Sequence, residues 1–114
     1  MPEQSYDAII LGVGQSGDPW ARALAKAGRR VALIERDAVG GTCVNRGCTP
    51  TKTMIASARV AYLAGRAADY GVSTGPVRVD LVKIRQRKRD LVASFRSGTE
   101  KKLEETENID LIYG

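Results

Sequence analysis

Cys43 and Cys48 are the only cysteines in a chain of 114 residues, and they stand close together in the segment GGTCVNRGCTPTK. Such a pair admits three chemistries: a structural cross-link, half of a metal site, or a dithiol that cycles between reduced and oxidised forms. Two cysteines are too few for a disulfide-stapled scaffold. The chain has no histidine, so carboxylates would have to complete a zinc site, and no metal is expected. The opening residues MPEQSYDAII lack the basic-then-apolar pattern of a signal peptide, which points to a cytoplasmic address. In that reducing compartment a stable cross-link is disfavoured and a cycling one is favoured. The plain alternative is a pair of buried, inert cysteines. The Gly, Thr and Lys residues packed around the pair argue against it.

The spacing C-x-x-x-x-C carries its own geometry. In a regular helix it advances about 7.5 Å along the axis, whereas disulfide Cα atoms lie within about 7 Å. The backbone between Cys43 and Cys48 must therefore leave the regular helix, and Asn45 and Gly47 are residues that permit this. Pro50 suits the first turn of a following helix. Cys48 would then sit at a helix N-terminus, where the dipole and Lys52 favour its thiolate. A more exposed Cys43 would be the thiol that exchanges with substrate.

A second constellation lies upstream. GVGQSG places Gly12, Gly14 and Gly17 in a G-x-G-x-x-G pattern. Gly12 allows the sharp turn out of a strand, Gly14 lets a pyrophosphate approach the backbone, and Gly17 lets helix and strand pack closely. Glu35 ends the next apolar run, where a carboxylate would bind ribose hydroxyls and repel a 2′-phosphate. The site should prefer FAD or NAD to NADP. Alone the glycines could form an ordinary turn and Glu35 a solvated strand end; the strand–turn–helix context makes the reading specific. Asp18 departs from it, and must point away from a bound phosphate.

These residues need elements to hold them. YDAIILGVG reads as a buried strand and tight turn, PWARALAKAGRR as a helix stopping near Gly28, and VALIE as a second strand. Residues 6–35 thus form a βαβ unit. The strands show no polar alternation, so a parallel sheet covered on both faces is expected. The redox-type segment and its helix fill residues 40–66, with Met54, Ala58, Ala61 and Gly65 along one face. DYGVSTGPVRVD is a loop with a brief extended piece. Asp80 caps a long helix over residues 80–107, loosened at Gly98, and a third strand covers 109–113. A three-stranded sheet leaves its edges bare, which points to an incomplete domain.

Composition removes other classes. No apolar run approaches the ~20 residues of a membrane span. The net charge of +5 is concentrated in KIRQRKRD. Leu81, Ile84, Leu91 and Phe95 recur at helical spacing through that run and no aromatic cluster interleaves with it, so a solvated helix face is expected and no nucleic-acid partner.

GGTCVNRGCTPTK, following IILGVGQSG and VALIER, resembles the start of the flavin-dependent pyridine nucleotide–disulfide oxidoreductases, nearest to mercuric-reductase-like and dihydrolipoamide-dehydrogenase-like members. The likeness runs through the whole chain, including RKRDLVASFRSG and IDLIYG. It implies an α/β fold: the N-terminal portion of a doubly wound, Rossmann-like FAD-binding domain, left incomplete. It implies that Gly12, Gly14 and Gly17 bind the FAD pyrophosphate, Glu35 the adenosine ribose, and Gly41 and Thr42 the cofactor near the redox segment. Cys43 would be the interchange thiol, Cys48 the charge-transfer thiol facing flavin, and Lys52 a residue tuning the ring. Electrons would pass from NAD(P)H through FAD to the Cys43–Cys48 disulfide and then to a small-molecule disulfide or metal-ion substrate. The rest of the FAD domain, the NAD(P) domain and the dimerisation domain would lie outside these residues. The full-length protein would be a homodimer, with an acid–base histidine from the dimerisation domain, and this chain alone would be inactive. Two other readings stay open: a nucleotide-binding module without redox chemistry, and a basic interaction protein.

Overall fold

A computed structural model describes residues 3–114. Three short strands rich in β-branched and aliphatic residues, β1 (Ala8–Leu11), β2 (Val31–Glu35) and β3 (Ile109–Tyr113), form one parallel sheet in the order β1-β2-β3. The register sets Ile10 beside Leu33 and Leu33 beside Leu111. Helix α1 (Gly17–Lys26) connects β1 to β2, and its buried alanines, Ala21 and Ala25, let it lie close to the sheet. The core joins Val13, Ala21, Val31, Leu33, Leu103 and Ile109. Leu33 and Leu103 are fully buried, and each contributes roughly 2 kcal/mol by leaving water.

Among the described residues helices cover one face of this sheet; the second layer expected over the other face is not among them. Ile9 and Leu11 are 64% and 79% exposed, and they share the open face with Ile34 and Ile112, while the small Ala32 between them is buried. The strand order explains it. Both crossovers step in the same direction across the sheet, and crossovers of one hand that do so lie on one face. Accordingly α1 and the last helix meet in a single core on the Leu33 side.

That last helix, α4 (Leu81–Glu104), is the longest element. The Asp80 carboxylate accepts from the backbone N–H groups of Val82 and Lys83 at 3.0 and 3.1 Å and so caps its start. It stops at Glu104 and does not reach residue 107. The Thr106 hydroxyl donates to the Lys102 carbonyl, and Asn108, at φ 67°, turns the chain into β3. The helix runs unbroken through Gly98.

At 1.5 Å per residue α4 is about 36 Å long, and only its C-terminal part can lie over so small a sheet. There Leu103 is buried and the Tyr113 hydroxyl donates to Glu100. The remainder packs along α3 (Cys48–Gly65), making a molecule 68 Å in its longest dimension. With one neighbour to cover it, the apolar stripe of α4 is only partly shielded: Leu81 and Phe95 are exposed, while Val92 is buried. On α3 the inward face runs through Thr53, Ser57, Ala61 and Ala64, while Ala58 and Gly65 are exposed. It is thus rotated from the expected face, towards α4, whose Arg87 donates to the Thr53 carbonyl at 3.1 Å. A 3-10 turn (Ala67–Tyr70) and a loop join the two helices, and the loop pairs with no strand. Arg85 and Arg89 of the basic run are exposed on α4. No helix among the described residues is long and apolar enough to cross a membrane.

Candidate functional site

The glycine turn after β1 and the segment after β2 are built against each other. Gly12, at φ 94°, turns the chain and donates its N–H to the Ile34 carbonyl at 2.8 Å. A Cβ on Gly17 would lie 1.9 Å from the Gly12 carbonyl oxygen, so only glycine fits there. A Cβ on Gly41 would lie 2.8 Å from the Gly14 Cα, so the two glycine segments touch backbone to backbone. The Gly40 N–H donates to the Val13 carbonyl at 2.7 Å and fastens this contact.

Glu35 sits at the junction. Its side chain is buried; one oxygen accepts from the Val13 N–H at 2.8 Å and the other from the Asp37 N–H at 2.9 Å. Each carboxylate oxygen keeps a further lone pair. Glu35, Gly41 and Thr42 line one small polar cleft. No side chain caps the first turn of α1; Asp18 and Trp20 donate to the Gly14 and Ser16 carbonyls and Pro19 has no N–H, which leaves the Gly17 N–H at the turn to face an anion. Asp18 pairs with Arg22 one turn along the helix, which offsets its charge beside that turn. Glycine-only backbone, the helix N-terminus behind it and a ribose-competent carboxylate fit a dinucleotide such as FAD, and Gly12, Gly14, Gly17, Glu35, Gly41 and Thr42 are the residues that would hold it.

The cysteines lie on two helices. Cys43 is in α2 (Gly41–Asn45) and Cys48 opens α3, with the break at Arg46 and Gly47. Both are free thiols. Gly47 serves close approach and not left-handed backbone: its φ is −121°, and a Cβ there would lie 3.2 Å from the Thr42 carbonyl oxygen and 3.6 Å from the Cys43 Cα. Lys52 is one turn beyond Cys48 on the same face of α3. The neighbouring Cys48 sulfur, as an acceptor for the Cys43 S–H, holds the proton on Cys43 and pushes its pKa up, with burial and the Cys48 charge adding to it; the Cys48 backbone N–H and Lys52 pull the other way. The exposure order is the reverse of that expected: Cys43 is half-buried and Cys48 exposed. Cys43 lies in α2 with its Cα against the Gly47 turn, whereas Cys48 is the first residue of α3 beyond that turn.

A raised pKa leaves less thiolate at neutral pH, so the pH midpoint for iodoacetamide labelling of Cys43 is expected above that of an unstructured cysteine peptide. Mass spectrometry of labelled peptides across a pH series reads this, and a midpoint below the peptide's would contradict it. Among the described residues no cluster of three or more His, Cys, Asp or Glu could hold a metal ion.

The family described as "Pyridine nucleotide-disulphide oxidoreductase" matches residues 6–114. The chain belongs to that family. Dihydrolipoyl dehydrogenase of Acholeplasma laidlawii is 43% identical over 83% of this chain and 29% of its own length. Mercuric reductase of Lysinibacillus sphaericus is 36% identical over 98% of this chain and 20% of its own. A Cu(II) complex of the HOCl-induced flavoprotein disulfide reductase RclA from Escherichia coli superposes with a TM-score of 0.80 at 38% identity, covering 98% of this chain and 22% of that one. The chain therefore spans less than a third of the length of these relatives, and its fold is the N-terminal part of a Rossmann-like FAD-binding domain.

Two residues around the thiol pair were not visible in the sequence as candidates for a functional role. Asn45, expected only to loosen the backbone, uses its side-chain amide to donate to the Val39 and Gly41 carbonyls at 3.0 and 2.9 Å. Arg96 reaches it from α4. The motif flagged the first position; nothing local flagged the second.

Proposed function

We propose that this chain is part of an FAD-dependent NAD(P)H oxidoreductase that reduces a small-molecule disulfide or a metal ion through Cys43 and Cys48. The observation that carries the reading is the pair of free thiols, one in α2 and the other opening α3 across the tight Gly47 turn, at the end of a backbone cradle that only glycine can build. FAD, when bound, supplies hydride acceptance from NAD(P)H and delivers the electron pair that opens the Cys43–Cys48 disulfide. Gly12, Gly14 and Gly17 hold the pyrophosphate, Glu35 the ribose, and Gly41 and Thr42 the cofactor beside the thiols. Lys52 adds positive charge next to the pair. With a disulfide substrate, the Cys43 thiolate attacks one sulfur and releases one substrate thiolate. The Cys48 thiolate then attacks Cys43, releases the second, and re-forms the internal disulfide. NAD(P)H binds through a domain outside these residues, and the whole protein works as a cytoplasmic homodimer. Its similarity to a dihydrolipoyl dehydrogenase, a mercuric reductase and a flavoprotein disulfide reductase seen in complex with Cu(II) supports a disulfide or metal-ion substrate.

The test is a reductive titration of the FAD-loaded protein at its natural length. Wild type is expected to take up two electrons more per FAD than either Cys43→Ser or Cys48→Ser, because each substitution removes the disulfide. A long-wavelength absorption band on reduction should persist in Cys43→Ser and vanish in Cys48→Ser. Equal electron uptake by all three proteins would reduce the chain to a nucleotide-binding module without thiol chemistry.

A further inference from the structure

The turn that carries Cys43 is held by one side chain that is itself held from far along the chain. The amide nitrogen of Asn45 donates to the carbonyls of Val39 and Gly41, and more distantly to Ala38 at 3.5 Å. It thereby ties the start of the α2 turn to its end, with Thr42 and Cys43 between. The amide oxygen accepts from Arg96 Nε at 2.8 Å, across 51 residues of sequence. An amide has two orientations, and the flipped one would aim its oxygen at carbonyl oxygens. The Arg96 donor selects the orientation that binds the turn, and its charge strengthens the amide's own donors. Val92, buried one helical turn before Arg96, anchors the same face of α4.

We infer that Arg96 is a positioning residue for the Cys43–Cys48 pair, acting through the Asn45 amide. The inference rests on reading the cysteines as a redox pair. Orienting one thiol against the other raises the tendency of the pair to close, because closure is an exchange whose second step is intramolecular.

The experiment equilibrates the reduced, FAD-loaded protein with glutathione buffers and measures the closing constant. A protein thiolate attacks glutathione disulfide and releases one glutathione thiolate. The second protein thiolate displaces the other glutathione and closes Cys43–Cys48, and the two protons lost by the protein thiols pass to the glutathione thiolates. Arg96→Met keeps the side chain as far as the position of Nε and removes the donor. It is expected to lower the closing constant about fivefold, the equivalent of about 1 kcal/mol for one net hydrogen bond. Arg96→Gln, whose amide nitrogen falls where Nε was, is expected to stay within about twofold of wild type by keeping that hydrogen bond. Arg89→Met, on an exposed part of the same helix, should leave the constant unchanged. A merely structural role would lower the melting temperature of Arg96→Met and leave its closing constant at the wild-type value, which overturns the inference. Should Arg96→Met not melt cooperatively, the isosteric pair Arg96→Gln and Arg96→Glu decides: the donor must close better than the acceptor, and equal constants overturn it. A wild-type pair that never closes defeats the redox reading itself, and the role of Arg96 with it.

Discussion

Gly17→Ala is expected to abolish cooperative folding and FAD retention together. The added methyl would sit 1.9 Å from the Gly12 carbonyl oxygen and 3.1 Å from its carbon. Neither atom is the end of a flexible side chain. Gly12 is held by its N–H bond to Ile34, and the carbonyl cannot retreat without breaking the turn. Relief requires α1 to lift from the sheet, which uncovers Ala21, Ala25 and the core beneath them. A steric conflict of this kind costs more than about 4 kcal/mol, a large share of the roughly 5–15 kcal/mol that holds a domain together. Thermal unfolding followed by circular dichroism is the measurement. Gly98→Ala is the matched control: it is inside α4 with open space around it, and it should stabilise by about 0.5–1 kcal/mol. A melting temperature for Gly17→Ala within a few degrees of wild type would show that the turn is not held as described.

Glu35→Ala should have the next largest effect on the chain. It removes both acceptors of a buried carboxylate and leaves the Val13 N–H, at a residue with no exposure, without a partner. Hydrogen bonds to charged groups contribute about 1.5–3 kcal/mol each, so a loss of roughly 3–5 kcal/mol is expected in urea denaturation. Glu35→Gln separates the two bonds. Its amide oxygen can serve Val13 or Asp37 but not both, and its nitrogen then faces an N–H group. About half the loss is expected. If Glu35→Ala unfolds at the wild-type urea concentration, the carboxylate is dispensable to the fold. Its place would then be argued from ribose binding alone.

These two sites were legible because their logic is local. Gly12, Gly14 and Gly17 are spaced by the turn they make, and Glu35 ends the strand whose neighbour carries that turn. The cysteine segment announced itself by composition, and its spacing required the helix break now seen at Arg46 and Gly47. The helix over residues 81–104 was readable from its cap at Asp80, but its end was not. The stop depends on Thr106 folding back and on Asn108 entering β3, and both answer to the position of the sheet.

The inward face of α3 was misplaced for a similar reason. Small residues at helical spacing suggested one stripe, while the stripe that meets the partner helix, whose Arg87 donates to the Thr53 carbonyl, is another. The open sheet face containing Ile9 and Leu11 was hidden because an apolar strand reads the same whether one or two layers cover it. Only the strand order, which puts both crossovers on one side, settles that.

By itself, then, the sequence determined the α/β class, the glycine turn, the carboxylate at the end of β2 and the thiol pair, because each depends on residues within a few positions of one another. The tertiary structure decided which thiol is exposed, which faces are covered, and that Arg96 on a distant helix reaches Asn45. Those features depend on where two elements meet in space, and local pattern carries no record of that meeting.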